Sequence, residues 1–210
     1  MKIFLSILAA LALLAVGAWF YVDHVVSYQP PDIMEMRPVP AADFRQEARR
    51  IKKRMSRELK SNGRTTVSAD DIEKVTFAAI ARKSPFPVDQ LIRSYKVDID
   101  PQGVRMSAVV DLRKVRELKL PARLRKALTT VTSFVPEDML DEVYFSVSGL
   151  PEKRGGMVAF SDESELRIGG WSRKLNDLMD DARLALGRDI FQKLSFADIK
   201  IEDGQVVIKR

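Results

Sequence analysis

The sequence predicts an α+β domain: a curved, mainly antiparallel sheet packed by helices, preceded by one N-terminal transmembrane helix. Three observations predict it. Residues 3–22, IFLSILAALALLAVGAWFYV, run for twenty positions without a charge. Several later segments alternate apolar and polar side chains with the period of a strand, and two of them double back through Asp-Pro-Gln-Gly and Asp-Gly. Between these lie segments whose apolar residues recur every three or four positions, the period of a helix with one buried face.

At 1.5 Å per residue, a helix over residues 3–22 is roughly 30 Å long, the thickness of a bilayer's hydrocarbon core. A cleaved signal peptide needs a shorter apolar region and small residues at the cut. Ala18 meets the second condition, with Val16 a poorer fit two places earlier, but cleavage there leaves WFYVDHVV as an apolar mature N-terminus. Trp19, Phe20 and Tyr21 suit a membrane–water boundary. The expectation is an uncleaved anchor over residues 1–26. Lys2 precedes the span, Asp23 follows it, and the next basic residue is Arg37. That arrangement predicts a single pass through the cytoplasmic (inner) membrane with the C-terminal domain outside the cytoplasm.

Residues 27–42 contain Pro30, Pro31, Pro38 and Pro40 and are expected to form an extended, semi-rigid tether. A basic amphipathic helix is expected over residues 43–63. Phe44, Ala48, Ile51, Met55 and Leu59 form its apolar stripe, Asp43 is its N-cap and Asn62-Gly63 its stop. Its other faces carry Arg45, Arg49, Arg50, Lys52, Lys53, Arg54, Arg57 and Lys60. Charge is concentrated here: residues 27–64 hold ten Lys/Arg against five Asp/Glu, whereas residues 65–210 hold 24 against 23. One reading is a solvated helix packed by a single stripe. The other sets Arg49, Arg50, Lys52, Lys53, Arg54 and Arg57 near anionic lipid headgroups, where each basic residue contributes about 1 kcal/mol. Nucleic acid is not an expected partner outside the cytoplasm.

Residues 64–210 are expected to form the extracytoplasmic α+β domain. TTVSADDIEKVTFAAIARKSPFP reads as a helix in which Ser68 and Asp71 have capping-box spacing. Asp70 and Asp71 then serve the helix macrodipole, and Pro85 and Pro87 end the element. YKVDIDPQGVRMSAVVDL reads as a hairpin with Tyr95, Val97, Ile99, Val104, Met106, Ala108 and Val110 on one face. EVYFSVSG is a strand with Val143, Phe145 and Val147 in phase, and GMVAFSDESELRIGG reads as a further pair. FADIKIEDGQVVIKR is a hairpin about Asp203-Gly204. PARLRKALTTVTSFVP and WSRKLNDLMDDARLALGRDIFQKLS carry helical stripes.

The chemistry available is narrow. There is no cysteine, and the single histidine is His24, beside the expected anchor. Disulfides, thiol chemistry and typical zinc sites are excluded, and a serine triad would have to use His24. The pairs Glu137 with Asp138, Asp141 with Glu142 and Asp180 with Asp181 fall at helix ends or on polar faces, where solvated charge is expected. Neither RIGG nor KRGG has the composition of a phosphate loop. The chain is therefore not expected to be an enzyme or to hold a metal or cofactor. Residues 113–126, RKVRELKLPARLRK, carry seven basic residues and one acid. They form a second basic patch, facing headgroups or an acidic partner, or a solvated edge.

A strongly curved sheet turns its apolar side toward a space that is either filled by side chains or hollow. Periodicity leaves both open. In the hollow reading an acyl chain lies along Tyr95, Val97, Ile99, Val104, Met106, Ala108 and Val110.

The order of features resembles the YpmS-like proteins, single-span bacterial membrane proteins related to the tubular lipid-binding (TULIP) superfamily. The resemblance consists of the N-terminal span, a helix entered through TTVSADDIEK, a hairpin like YKVDIDPQGVRMSAVVDL, and VYFSVSGLPEKRGGMVAFSDESELRIGG leading to a long helix. Beyond the span it covers residues 64–210. The basic helix at 43–61 and the 113–126 run have no counterpart in it. It implies no catalytic residue and favours a hollow, lipid-holding groove. The expected function is binding of a membrane lipid or other hydrophobic ligand in the cell envelope. The alternative is a non-enzymatic scaffold or subunit with an envelope protein as partner.

Overall fold

The computed structural model describes residues 28, 30–40, 43–119, 125, 129, 137, 140–154, 157–174 and 198–210. They form an α+β domain on a mainly antiparallel sheet packed with helices. The expected span, His24 and most of residues 120–139 and 175–197 lie outside the described residues. Among the described residues, no helix is long and apolar enough to cross a membrane.

The strands are β1 (Arg37–Pro38), β2 (Arg64–Val67), β3 (Ile92–Asp100), β4 (Gly103–Val110), β5 (Val143–Gly149), β6 (Pro151–Arg154), β7 (Met157–Phe160), β8 (Glu165–Ile168), β9 (Trp171–Lys174), β10 (Asp198–Glu202) and β11 (Gln205–Lys209). The helices are α1 (Phe44–Asn62), α2 (Ala69–Lys83), α3 (Val88–Leu91) and α4 (Leu112–Val115). Six strands form one sheet in the order β1-β3-β4-β5-β8-β9, with every neighbour antiparallel. β10-β11-β2 form a second sheet, and β6-β7 a separate ribbon.

The segment expected to be a tether is built into the fold. After a 3-10 turn over Pro31–Glu35, β1 pairs with the edge of β3, and Met36 and Val39 are buried. Pro38 is tolerated there because an edge strand can spare a backbone donor.

α1 forms as its local signals dictate. The Asp43 side chain accepts from the Gln46 N–H, and Gly63 stops the helix at φ +66°, a left-handed conformation that favours glycine. Its buried residues are the five of the expected stripe. In α2 the Ser68 hydroxyl accepts from Asp71 N–H while the Asp71 carboxylate accepts from Ser68 N–H, the reciprocal capping box. The residues before the cap depart from expectation. Arg64–Val67 is not helix but strand β2, because its β-branched side chains pair with β11.

Two further assignments change. Met157–Phe160 and Glu165–Ile168 do not pair with each other: the first pairs with β6 and the second lies between β5 and β9. Trp171–Lys174 is not the first turn of a helix but strand β9, folded back on β8 through Gly169 at φ +57°. The hairpin at Asp203-Gly204 forms as expected, both residues having the positive φ of a type I′ turn.

Candidate functional site

The alternation of β3, β4, β5 and β8 gives the main sheet two chemically different faces. On one, cross-strand register sets Tyr95, Ala108, Phe145 and Ile168 in a row, and Val97, Met106, Val147 and Leu166 in the next. Ile99 with Val104, and Val110 with Val143, flank them. All seven residues proposed from the sequence as a ligand surface thus share one face. Val104 and Tyr95 are buried there, whereas Val97, Ile99, Met106, Ala108 and Val110 are half-buried. Val97, Ile99 and Met106 pack against a cluster built from Ala48, Ile51, Met55 and Leu59 of α1, Val75 of α2, and Val206 and Ile208 of β11.

Tyr95 has a second occupation. Its ring meets Phe77 edge-on at 4.9 Å, and its hydroxyl is hydrogen-bonded to Glu73 of α2. Arg37, from β1, lies over the same ring at 5.5 Å and reaches Glu73 at 3.6 Å. Burial drives the Tyr95 pKa up to about 12, the Glu73 hydrogen bond adding to it. Burial also raises the Glu73 pKa, against the opposing effects of the Tyr95 hydroxyl and Arg37. Sequence reading passed over Glu73. The available signal was its position four residues before Phe77, which puts a carboxylate on the helix face that Phe77 buries.

A carboxyl with a raised folded-state pKa favours folding while protonated. That contribution is present below its ordinary value of 4.5 and is lost as pH rises through the folded value. Glu73→Gln, which keeps an acceptor for Tyr95 without the charge, is therefore expected to melt above the parent at pH 7. The gap should close at pH 4. Calorimetry at the two pH values checks this, and a gap that widens toward pH 4 refutes it.

The opposite face of the sheet is polar, and residues 28–36 cross it. Met36 and Ile33 pack there on Val109 and Tyr144, and Lys96 Nζ donates to Glu35 at 2.6 Å. Beside this crossing lies a cleft of about 660 Å³ lined by Tyr28, Lys96, Arg105, Tyr144, Ser146 and Arg167, among others. Lys96 also meets Asp98 at 3.3 Å, and Arg167 meets Glu165 at 3.6 Å and lies over the Tyr28 ring. Its charges are thus largely matched internally. The cleft lies on the face opposite the one proposed from sequence, because the polar half of each strand's alternation builds it.

The two basic runs differ once their neighbours are in place. In the 113–126 run, Arg113 pairs with Asp141 at 2.7 Å, Arg116 with Glu137 at 4.0 Å, and Lys114 Nζ donates to the Gln90 carbonyl. Residues 113–116 thus join α3, α4 and the residues before β5, while Arg123 and Lys126 of the run lie outside the described residues. Asp141 and Glu142 both meet Arg93, so these carboxylates are structural partners. In α1, Arg45 donates to the Ala81 carbonyl, and Arg54 bridges Asp71 at 2.6 Å and Glu58 at 3.8 Å. Lys52 is half-buried and also engaged. Arg49, Arg50, Lys53 and Arg57 are exposed and form no ion pair among the described residues. No group of three or more potential metal ligands occurs among the described residues.

No family model matches the chain, and no curated protein or solved structure matches it.

Proposed function

We propose that this chain is a membrane-anchored, extracytoplasmic domain that binds a lipid or another hydrophobic ligand along the apolar face of its curved main sheet. The observation that carries this reading is the incomplete burial of that face. Of its twelve side chains, Tyr95, Val97, Ile99, Val104, Met106, Ala108, Val110, Val143, Phe145, Val147, Leu166 and Ile168, only Tyr95, Val104 and Val143 are buried. The other nine pack against the core clusters yet keep part of their surface uncovered, more than a close-packed interior leaves. An acyl chain laid along the rows gains about 25 cal/mol for each Å² of apolar surface removed from water. The likeness in layout to YpmS-like and tubular lipid-binding proteins, and the uncharged residues 3–22, support the same reading. Nothing in this function asks for a catalytic residue.

Native mass spectrometry of the full chain, activated until loosely held lipid is stripped, followed by lipid extraction, tests the proposal. One defined adduct should survive in the parent and be lost in Met106→Asp, with circular dichroism showing that the variant remains folded. A folded parent that flies free of any adduct would instead favour a scaffold in an envelope complex.

A further inference from the structure

The cleft on the polar face of the main sheet contains hydrogen-bond donors that the domain leaves unused. At its centre Arg105 of β4 stands opposite Ser148 of β5, with Ser146 two residues along on the same face. Opposite pairs and diagonal neighbours in a sheet lie roughly 5 and 7–8 Å apart, so the long Arg105 side chain and both hydroxyls can converge on one small group. Ser146 is the informative member. It is only 7% exposed, and its side chain makes no hydrogen bond among the described residues. No wholly buried side-chain oxygen or nitrogen lacks a partner among them, so the Ser146 hydroxyl is open to the cleft that it lines. Ser107, its register partner on β4, differs: its Oγ accepts from the Tyr144 hydroxyl at 3.1 Å.

The charges around this centre decide what it accepts. Glu35 and Asp98 share Lys96, and Glu165 holds Arg167 at 3.6 Å. The Asp100 carboxylate accepts from the Gln102 and Gly103 N–H groups of the hairpin turn. Every acid lining the cleft thus has a donor. Arg105 has no such match: Asp98, opposite it on β3, turns to Lys96 instead, and Arg105 is exposed without an ion pair or hydrogen bond among the described residues. An unmatched guanidinium beside two free hydroxyls is a donor set for an oxyanion. The four acids around it, against three cations, disfavour a second negative charge on that ligand. We propose that the cleft binds a singly charged oxyanion carried on a hydroxyl-rich body, the chemistry shared by a phosphodiester of a polyol and an acidic sugar. Its volume of about 660 Å³ is in the range of small-molecule sites and well beyond a bare anion. The lining carboxylates retain lone pairs for the hydroxyls of such a body. The site lies on the face away from the apolar rows, so it does not rest on lipid binding there.

Isothermal titration of the full chain in a non-ionic detergent tests this with two probes, glycerophosphoglycerol and glucuronate. Saturable binding at a single site is expected, and the tighter probe tells which source supplies the oxyanion. Glycerol phosphate, a monoester carrying nearly two charges at about pH 8, should bind about tenfold more weakly than glycerophosphoglycerol. Arg105→Gln should weaken the tighter probe about tenfold or more, the loss of a charge-assisted contact, and Ser146→Ala should weaken it several-fold. Neither side chain is engaged within the domain, so both variants should melt with the parent, which a merely structural role would not allow. Lys119→Gln, an exposed cation elsewhere, should leave binding unchanged. If Arg105→Gln melts below the parent, Ser146→Ala decides alone. No saturable binding of either probe, or binding that the deciding variants leave unchanged, overturns the proposal. Glycerol phosphate bound as tightly as the diester overturns the preference for a single charge.

Discussion

Gly149→Ala is expected to destabilise the domain by about 3 kcal/mol, the upper part of the range for forcing atoms into a filled interior. A Cβ at residue 149 would fall 1.8 Å from Ser164 Oγ, 2.6 Å from its Cβ and 3.1 Å from its Cα. Ser164 is fully buried, and its N–H donates to the Ser161 carbonyl, so it has nowhere to retreat. The crowding matters because three turns of chain meet there. Gly103, opening β4 at φ +152°, approaches so closely that a Cβ on it would lie 2.6 Å from the Gly149 carbonyl oxygen. Urea titration gives the loss directly. The double variant Gly149→Ala/Ser164→Gly should recover part of it, since it removes the two nearest clashing atoms while the backbone of residue 164 still presses on the new methyl group. A Gly149→Ala midpoint within about 0.5 kcal/mol of the parent, the scatter of innocuous surface changes, would mean that the 161–164 turn does not press on β5.

The second large effect is expected at Met55. Its side chain is wholly buried at the centre of the cluster joining α1, α2, the main sheet and β11. Met55→Ala removes buried methylenes and leaves a cavity, a change that costs about 2–5 kcal/mol. Two residues further along the same helix, Arg57→Ala should change stability by no more than about 0.5 kcal/mol, because its side chain is exposed and forms no ion pair among the described residues. The pair of measurements separates the two faces of α1: one holds the helix to the domain, the other presents charge. Equal losses at both positions would show that the cationic face supports the fold.

How much of this was legible in the sequence depends on the range of the interaction responsible. α1 was readable residue by residue, because its cap at Asp43, its stop at Gly63 and its five-residue stripe are set within the helix. The β3–β4 and β10–β11 hairpins were readable too, since a short turn dictates its own register. β2 and β9 were not. Thr65–Val67 adjoin a helix cap and read as part of that helix, and only pairing with β11 makes them a strand. Trp171–Lys174 is four residues long, too short for its period to outweigh the helical stripe that follows it. The choice of β5 rather than β7 as the neighbour of β8 is a pairing between distant residues that no local pattern encodes.

The same division holds for the candidate sites. The alternation in YKVDIDPQGVRMSAVVDL by itself determined which side chains share a face, because side-chain direction in a strand repeats every two residues whatever surrounds it. The 3.6-residue period likewise set the five apolar residues of α1 apart from its cations. Only the tertiary structure decided which of those charges are free. Arg54 is held because α2 brings Asp71 to 2.6 Å, and Arg45 because it brings the Ala81 carbonyl within reach. Arg113 and Arg116 are matched by Asp141 and Glu137, and Lys114 by Asp111 and the Gln90 carbonyl. Periodicity is a property of the backbone and survives in any context, whereas a charge is free or paired according to what the fold sets beside it.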